Sequence, residues 1–211
     1  MNRLYRVQAK VYDVTRWLIL PGRDLALSVL QDAPPGSSLL ELGCGTARNL
    51  IRAARRYPHV ELFGSDLSEV MLAVARRNAR GLPIRLAECA AEDTHFERTF
   101  GRSSGFDVVL LSYMLTMQPS PQAAEAIVEN AYQNLVPGGR LAIVDYSGYA
   151  PFPAWLRDPM LAWHASFSVT PTLRHLRQLE GWEREGRGVL RTRILLEDVA
   201  RLAVFRRAAL R

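Results

Sequence analysis

The stretch Leu39-Leu-Glu-Leu-Gly-Cys-Gly-Thr-Ala-Arg-Asn-Leu50 constrains this chain more than any other. It reads as a short buried strand that meets a glycine turn and passes straight into a helix. Gly43 and Gly45 carry no Cβ, so the backbone can bend sharply there and approach a ligand closely. A helix starting near Thr46 aims its first free N–H groups into the turn. Ordinary strand-to-helix turns use glycine too, so a Gly-x-Gly pair alone is a weak signal. Its context strengthens it. Asp66 follows a second apolar strand roughly 20 residues on, where nucleotide-binding α/β folds place the acid that holds a ribose.

The same rhythm runs on. Strands are predicted at 39–42, 60–64, 84–88, 106–112 and 140–145, with helices at 47–57, 68–80 and 121–135 between them. Continuous apolar runs such as Val108-Val-Leu-Leu111 fit parallel strands covered on both faces. Ser68 is placed to cap the helix after Asp66. Pro137-Gly138-Gly139 is expected to end the third helix and turn the chain into the fifth strand. Before the first strand, residues 3–31 read as two or three short helices, broken at Pro21-Gly22 and closed by Pro34-Pro-Gly36. After the fifth strand, 155–180 reads as helix interrupted by Pro159 and Pro171. The alternating runs 189–195 and 199–205 then read as an antiparallel hairpin on the sheet edge. The prediction is a single domain over 1–211, with an N-terminal helical lid (1–36), a core (37–146) and substrate-side helices with a hairpin (147–211). The fold class is α/β: a doubly wound, mostly parallel, seven-stranded, Rossmann-like sheet.

Composition narrows the setting. With 48% hydrophobic and 23% charged residues, the chain has room for one sizeable core. No apolar run reaches the ~18 residues of a membrane span, and the N-terminus lacks a signal peptide's apolar core. Cys44 and Cys89 form no disulfide framework or metal cluster, which points to a reducing cytoplasm. The net charge is +6, and only Lys10 among the 27 basic residues is a lysine. That excess reads either as codon usage or as a surface suited to phosphate-bearing partners.

Glu41-Leu-Gly-Cys-Gly-Thr46, Asp66-Leu-Ser-Glu-Val-Met-Leu72 and Leu135-Val-Pro-Gly-Gly-Arg-Leu141 resemble the motifs of class I S-adenosylmethionine-dependent methyltransferases. The likeness covers about residues 38–146. It implies S-adenosyl-L-methionine as cofactor, with the glycine turn around its amino-acid part and Asp66 accepting from both ribose hydroxyls. The implied cofactor set is Glu41, Gly43, Cys44, Gly45 and Asn49, then Asp66, Leu67 and Met71, then Ala91 and Glu92, with Ser112 at the end of the fourth strand. Two positions depart from the family pattern. Ala47 stands where a third glycine is common, and Ala90 stands where an acid often faces the adenine amino group.

A narrower resemblance rests on Lys10-Val-Tyr-Asp-Val-Thr-Arg-Trp17 with Gly22-Arg23, on Ser112-Tyr-Met-Leu-Thr-Met-Gln-Pro119, and on Pro153-Ala-Trp-Leu-Arg157 with Trp163 and Phe167-Ser-Val-Thr-Pro171. These are similar to bacterial betaine-lipid N-methyltransferases, which trimethylate the amine of diacylglycerylhomoserine; phospholipid N-methyltransferases are near relatives. The resemblance implies a lipid headgroup acceptor, a peripheral position at the inner membrane face and an enzyme that supplies diacylglycerylhomoserine. A small-molecule or quinone methylase is the alternative enzyme, and a cofactor-binding module without chemistry is the alternative class. Nucleic acid is not an expected partner, because no Asn-Pro-Pro-aromatic motif follows the fourth strand.

Methyl transfer from a sulfonium needs in-line positioning and exclusion of water, and no metal. No residue announces itself as a general base. Tyr113 and Tyr12 are the catalytic candidates, as positioning groups. Tyr113 could accept from the amine or turn its ring to the growing ammonium; a core aromatic with a wet tip is its other reading. Arg16, Trp17, Arg23 and His164 are the substrate-side candidates, each with a surface or packing role as its alternative. Phe152, Trp155, Leu156, Met160, Leu161 and Trp163, with Trp17, Leu18, Ile19 and Leu20, read as a membrane-facing surface or as a roof over the pocket.

Overall fold

Parallel pairing of the continuous apolar runs builds the centre of the sheet. In the computed structural model, which describes residues 20, 22–166 and 169–209, all five residues of β1 (Ser38–Leu42) are buried. β1 pairs in parallel with β2 (Glu61–Asp66) on one side and with β4 (Phe106–Ser112) on the other. β3 (Ile84–Glu88) extends the sheet beyond β2, and β5 (Leu135–Tyr146) extends it beyond β4, both in parallel. The hairpin of β6 (Gly188–Leu195) and β7 (Ala200–Arg207) closes it, with β7 antiparallel to β5 and β6 at the edge. The strand order is β3-β2-β1-β4-β5-β7-β6, the predicted doubly wound, mostly parallel sheet.

Helices cover both faces. On one lie α1 (Arg23–Ala26) with the 3-10 turn Leu27–Leu30, α2 (Arg48–Arg56) and α3 (Glu69–Asn78), whose buried residues share a core with Leu39, Leu62 and Val108. On the other, α4 (Phe96–Phe100), α5 (Pro121–Gln133) and α7 (Arg174–Arg184) pack against Leu40, Phe63 and Val109. α6 (Ala154–Ala165) lies between β5 and α7 in the chain. β1 and β4 are neighbours whose following helices take opposite faces. Their carboxyl ends therefore open a crevice, where open α/β sheets bind ligands.

Several elements differ from the sequence reading. The third helix ends at Gln133, and Pro137-Gly138-Gly139 lies inside β5. Pairing jumps from Phe106 opposite Leu135 to Val108 opposite Arg140, so residues 136–139 bulge out across from Asp107, with Gly138 in a left-handed bend. The helical tail is two helices, and Pro159 sits within α6 without ending it. Of the predicted lid, residues 22–30 pack against the sheet: Ala26, Leu27 and Leu30 are buried, and Arg140 Nη1 donates to the Val29 carbonyl at 2.8 Å. Leu20 is buried in the same core, and residues 1–19 and 21, with Tyr12, Arg16 and Trp17, lie outside the described residues.

Ala47 caps α2 in the left-handed region (φ 61°, ψ 24°), fully buried. That conformation costs an L-residue about 1 kcal/mol, while its buried methyl contributes about 0.8 kcal/mol. Ala47→Gly should therefore leave stability within about 0.5 kcal/mol of wild type. Ala53→Gly, equally buried within regular α2, should cost about 2 kcal/mol in urea unfolding. Equal losses at the two sites would show that Ala47 is unstrained.

His175, on the first turn of α7, is 3% exposed, and burial with the nearby Arg201 charge pushes its pKa from 6.5 down to about 4. The unfolded chain then binds the proton that the fold refuses, so stability is lost as pH falls from 6.5 towards 4. One such group removes about 1–2 kcal/mol by about pH 5. His164, pushed down by its own burial, adds to the slope. Urea titrations across this window should show the slope flattening in His175→Phe.

Candidate active site

The crevice holds a cavity of about 380 Å³. One wall is the glycine turn after β1, with Gly43 (φ 66°) and Gly45 (φ 55°) in the left-handed region. The bend at Gly43 favours glycine, and a Cβ there would stand 3.2 Å from Met114 Sδ, so that flexible side chain would have to give way. The turn is tied across to the end of β2. Cys44 N donates to the Ser65 carbonyl at 2.9 Å, and Gly45 N to Asp66 Oδ2 at 2.7 Å. Asp66 Oδ1 accepts from Ser68 N at 2.9 Å, and Ser68 Oγ accepts from Met71 N to cap α3, as predicted. Each Asp66 oxygen retains a lone pair that can take a hydroxyl. Behind the turn, buried Glu41 Oε1 accepts from Asn49 Nδ2 at 2.6 Å.

The facing wall follows β4. Ser112, Tyr113 and Met114 lead into a 3-10 turn, Leu115–Met117, then Gln118. Tyr113 is buried at φ 55°, a conformation that a bulky L-residue adopts only where its surroundings impose it. Those surroundings are visible. Tyr113 N donates to the Val144 carbonyl at 2.8 Å, and its ring meets Tyr146 edge-on at 4.8 Å. The Arg23 guanidinium lies 5.7 Å from the ring centre. Wholly buried Asp145 accepts from Leu115 N (2.8 Å), Thr116 N (3.3 Å), Thr116 Oγ1 (2.6 Å) and Tyr146 N (2.8 Å). Burial pushes its carboxyl up, and these four hydrogen bonds oppose the shift.

Burial also raises the Cys44 thiol, with Glu41 and Asp66 adding to the effect, and the Tyr113 hydroxyl, with Tyr146 and Asp145 adding. Both stay protonated at neutral pH. Hydrogen-bonding capacity remains for a ligand: the buried Ser112 Oγ and Asn49 Oδ1 have no partner among the described residues. The cavity's size, its unstrained glycine approach and these polar groups fit an adenosyl amino acid such as S-adenosylmethionine.

The structure brings together around this cavity Glu41, Gly43, Cys44, Gly45, Asn49, Asp66, Leu67, Met71, Ala91, Glu92, Ser112, Tyr113 and Arg23 from the sequence prediction. Leu67 is 71% exposed beside the mouth, and Glu92 supplies a carboxylate two residues from Ala90, which also lines the cavity. His164 does not line it. It is buried two rings back, stacked edge-on to Tyr146 at 4.3 Å, with Nε2 at 2.8 Å from the Tyr149 hydroxyl. Sequence reasoning did not select Thr46, Arg48, Met117, Gln118 or Ile127 for the lining, nor Asp145 behind it. For Gln118 a signal existed, since it belongs to the Ser112–Pro119 stretch already singled out. An acid ending the fifth strand was the only hint of Asp145.

Comparison with known proteins agrees with this geometry. Residues 39–139 match the model of the methyltransferase domain family. The chain is 30% identical over 142 residues to the demethylmenaquinone methyltransferase of Thermus thermophilus, covering 64% of this chain and 60% of that one. Among solved structures, an O-methyltransferase family protein from Burkholderia thailandensis superposes with a TM-score of 0.69 at 19% identity, over 90% of this chain and 56% of the other. A Haemonchus contortus phosphoethanolamine N-methyltransferase, in complex with phosphomonomethylethanolamine and S-adenosylhomocysteine, does so at 0.66 and 14% identity, over 90% and 52%. The chain spans between 24% and 60% of the length of the first curated relatives it matches. Through residues 39–139 the chain is similar to S-adenosylmethionine-dependent methyltransferases; its sheet has the class I, Rossmann-like topology, and its cofactor is S-adenosylmethionine.

Replacing Asp66 by alanine removes the tie to the Gly45 turn and the carboxylate expected to accept from the ribose. Calorimetry on the folded variant should show S-adenosylmethionine binding weaker by about 2–3 kcal/mol. Unchanged affinity would remove Asp66 from the cofactor site.

Proposed function

We propose that the chain is an N-methyltransferase whose acceptor is the amine of a lipid headgroup, diacylglycerylhomoserine, carried to its trimethyl betaine. One observation carries the reading. The distinctive stretch Ser112–Pro119, on which the narrower resemblance rests, supplies the wall of the cofactor cavity through Ser112, Tyr113, Met114, Met117 and Gln118. Bound there, the cofactor supplies an electrophilic methyl group on a sulfonium. The chain's task is to present a neutral amine in line and to exclude water. The Tyr113 ring, locked by its backbone and by Tyr146, is a preorganised aromatic face for the cation that forms. No histidine is among the described residues lining the cavity, and Cys44 and Tyr113 hold their protons. The amine that reacts is the neutral form, so kcat/KM should climb with pH up to the amine's own pKa.

A membrane-facing surface suits an acceptor with two acyl chains. On α6, Trp155 is 76% exposed and Leu161 is exposed, with Phe152, Leu156 and Met160 half-buried nearby. Met117 and Leu67, which line the cavity, are exposed, as is Val70 on α3. Among the described residues no helix is long and apolar enough to cross a membrane, so contact would be peripheral. The side chain of Trp163, and Trp17 to Ile19, lie outside the described residues.

A second reading, methylation of a quinone or another small acceptor, is favoured by the Thermus thermophilus relative. Lipid analysis of cells expressing the chain, with and without an enzyme that supplies diacylglycerylhomoserine, decides between them. The expected outcome is trimethylated lipid only when that enzyme is present. A methylated quinone in its place would overturn the lipid reading. In the purified enzyme, Tyr113→Phe should keep activity within about tenfold, and Tyr113→Ala should lose about a hundredfold or more, as for loss of a positioning face. Flotation with anionic vesicles should weaken with added salt and in Trp155→Ser.

A further inference from the structure

A second cavity, of about 290 Å³, lies on the far side of the 3-10 turn from the cofactor cavity, and Gln118 borders both. Its near wall is Leu115 and Thr116 with the run from Gln118 into the first turn of α5; its far wall is Thr170 to Thr172 and the first turn of α7. The two walls are joined where Thr170 N donates to the Thr116 carbonyl at 2.7 Å, and Gln178 Nε2 bonds the Glu125 carbonyl at 3.1 Å between the helices. Two helices of 13 and 11 residues therefore begin at one cleft, each bringing the positive end of its dipole.

An independent observation points to a ligand there. His175 borders the cleft, is 3% exposed, and has no hydrogen-bond partner for either ring nitrogen among the described residues. A buried imidazole left without partners on both sides is costly. Its N–H is a donor for whatever enters the cleft. Arg174 stands exposed at the rim as a guanidinium donor, and Thr172 offers a hydroxyl beside it. Glu125 also borders the cleft, and its carboxylate opposes any ligand with two negative charges.

We propose that this cleft is a binding site for a singly charged anion, a carboxylate or a phosphodiester, held between the starts of α5 and α7 by His175, Arg174 and Thr172. Such a group could belong to the acceptor's own headgroup or to a separate anionic molecule, and the two sources differ in one measurement. The probes are acetate and dimethyl phosphate, with methyl acetate as the neutral control and sodium chloride at matched ionic strength. The readout is the ring resonances of His175 in histidine-labelled protein, identified by their loss in His175→Gln.

Acetate and dimethyl phosphate should shift these resonances saturably in the millimolar range, and methyl acetate and chloride should not. Arg174→Gln and Thr172→Val should each weaken acetate at least about threefold, with S-adenosylmethionine affinity unchanged. Both variants leave the His175 ring in place, and if His175→Gln fails to fold, its resonances are identified as those that persist in His59→Gln, His95→Gln and His164→Gln. Equal shifts from the neutral ester, or no saturable shift from either anion, would overturn the site. Short-chain diacylglycerylhomoserine that competes with acetate assigns the anion to the acceptor; binding alongside acetate assigns it to a separate molecule. If no lipid amine is methylated and the acetate shift persists, the lipid reading fails and the anion site stands.

Discussion

Two carboxylates at strand ends, each accepting at least one backbone N–H from the loop of another strand, hold the working edge of this sheet in shape. Asp66, closing β2, takes Gly45 N and Ser68 N and so fixes the turn that leaves β1. Asp145, near the end of β5, takes Leu115 N and Thr116 N, with the Thr116 hydroxyl, and so fixes the turn that leaves β4. β1 and β4 are the adjacent strands whose connections diverge. The crevice between them is thus braced from outside on both flanks. Hydrogen bonds to a carboxylate are worth more than neutral ones, and a buried carboxylate without them would be untenable.

That bracing supports strain where ligands approach. Ala47 and Tyr113 both hold left-handed backbone conformations, and they stand at the starts of the two diverging connections. Small and buried, Ala47 lets its methyl offset most of the cost. Tyr113 is bulky and relies on its surroundings: the Val144 carbonyl for its N–H, the Tyr146 ring for its face, and Asp145 for the turn that follows. Behind it the ring stack continues to His164 and Tyr149, so the aromatic wall rests on packed groups rather than on solvent. A ring held this firmly has little freedom to reorganise when a ligand arrives.

The 3-10 turn Leu115–Met117 has two sides. Met117, with Gln118 after it, faces the cofactor cavity, and Leu115 and Thr116 border the cleft where α5 and α7 begin. Asp145 anchors the turn from within. The same short, well-anchored element therefore borders both cavities, and Gln118 lines each of them.

What the sequence by itself determined is local in origin. Continuous apolar runs defined the central strands, the alternating runs near the C-terminus defined the edge hairpin, and the glycine turn with Asp66 located the cofactor end. These signals depend on residue periodicity, on turn chemistry and on a cap such as Ser68, each within a few positions, and on the interval of roughly 20 residues from the glycine turn to Asp66. Tertiary structure alone decided the rest. Pro137-Gly138-Gly139 reads as a helix stop in isolation, yet pairing of Leu135 with Phe106 draws the chain into β5 early and leaves a bulge. His164 looked like a substrate-side group until the return of α6 placed it behind Tyr146. Asp145 and Thr116 lie 29 residues apart, and Ser120 and His175 farther still, so their meeting depends on strand register and on where each helix starts. Periodicity tells which face of an element is buried. Which partner waits on that face is settled only when every strand has taken its place in the sheet.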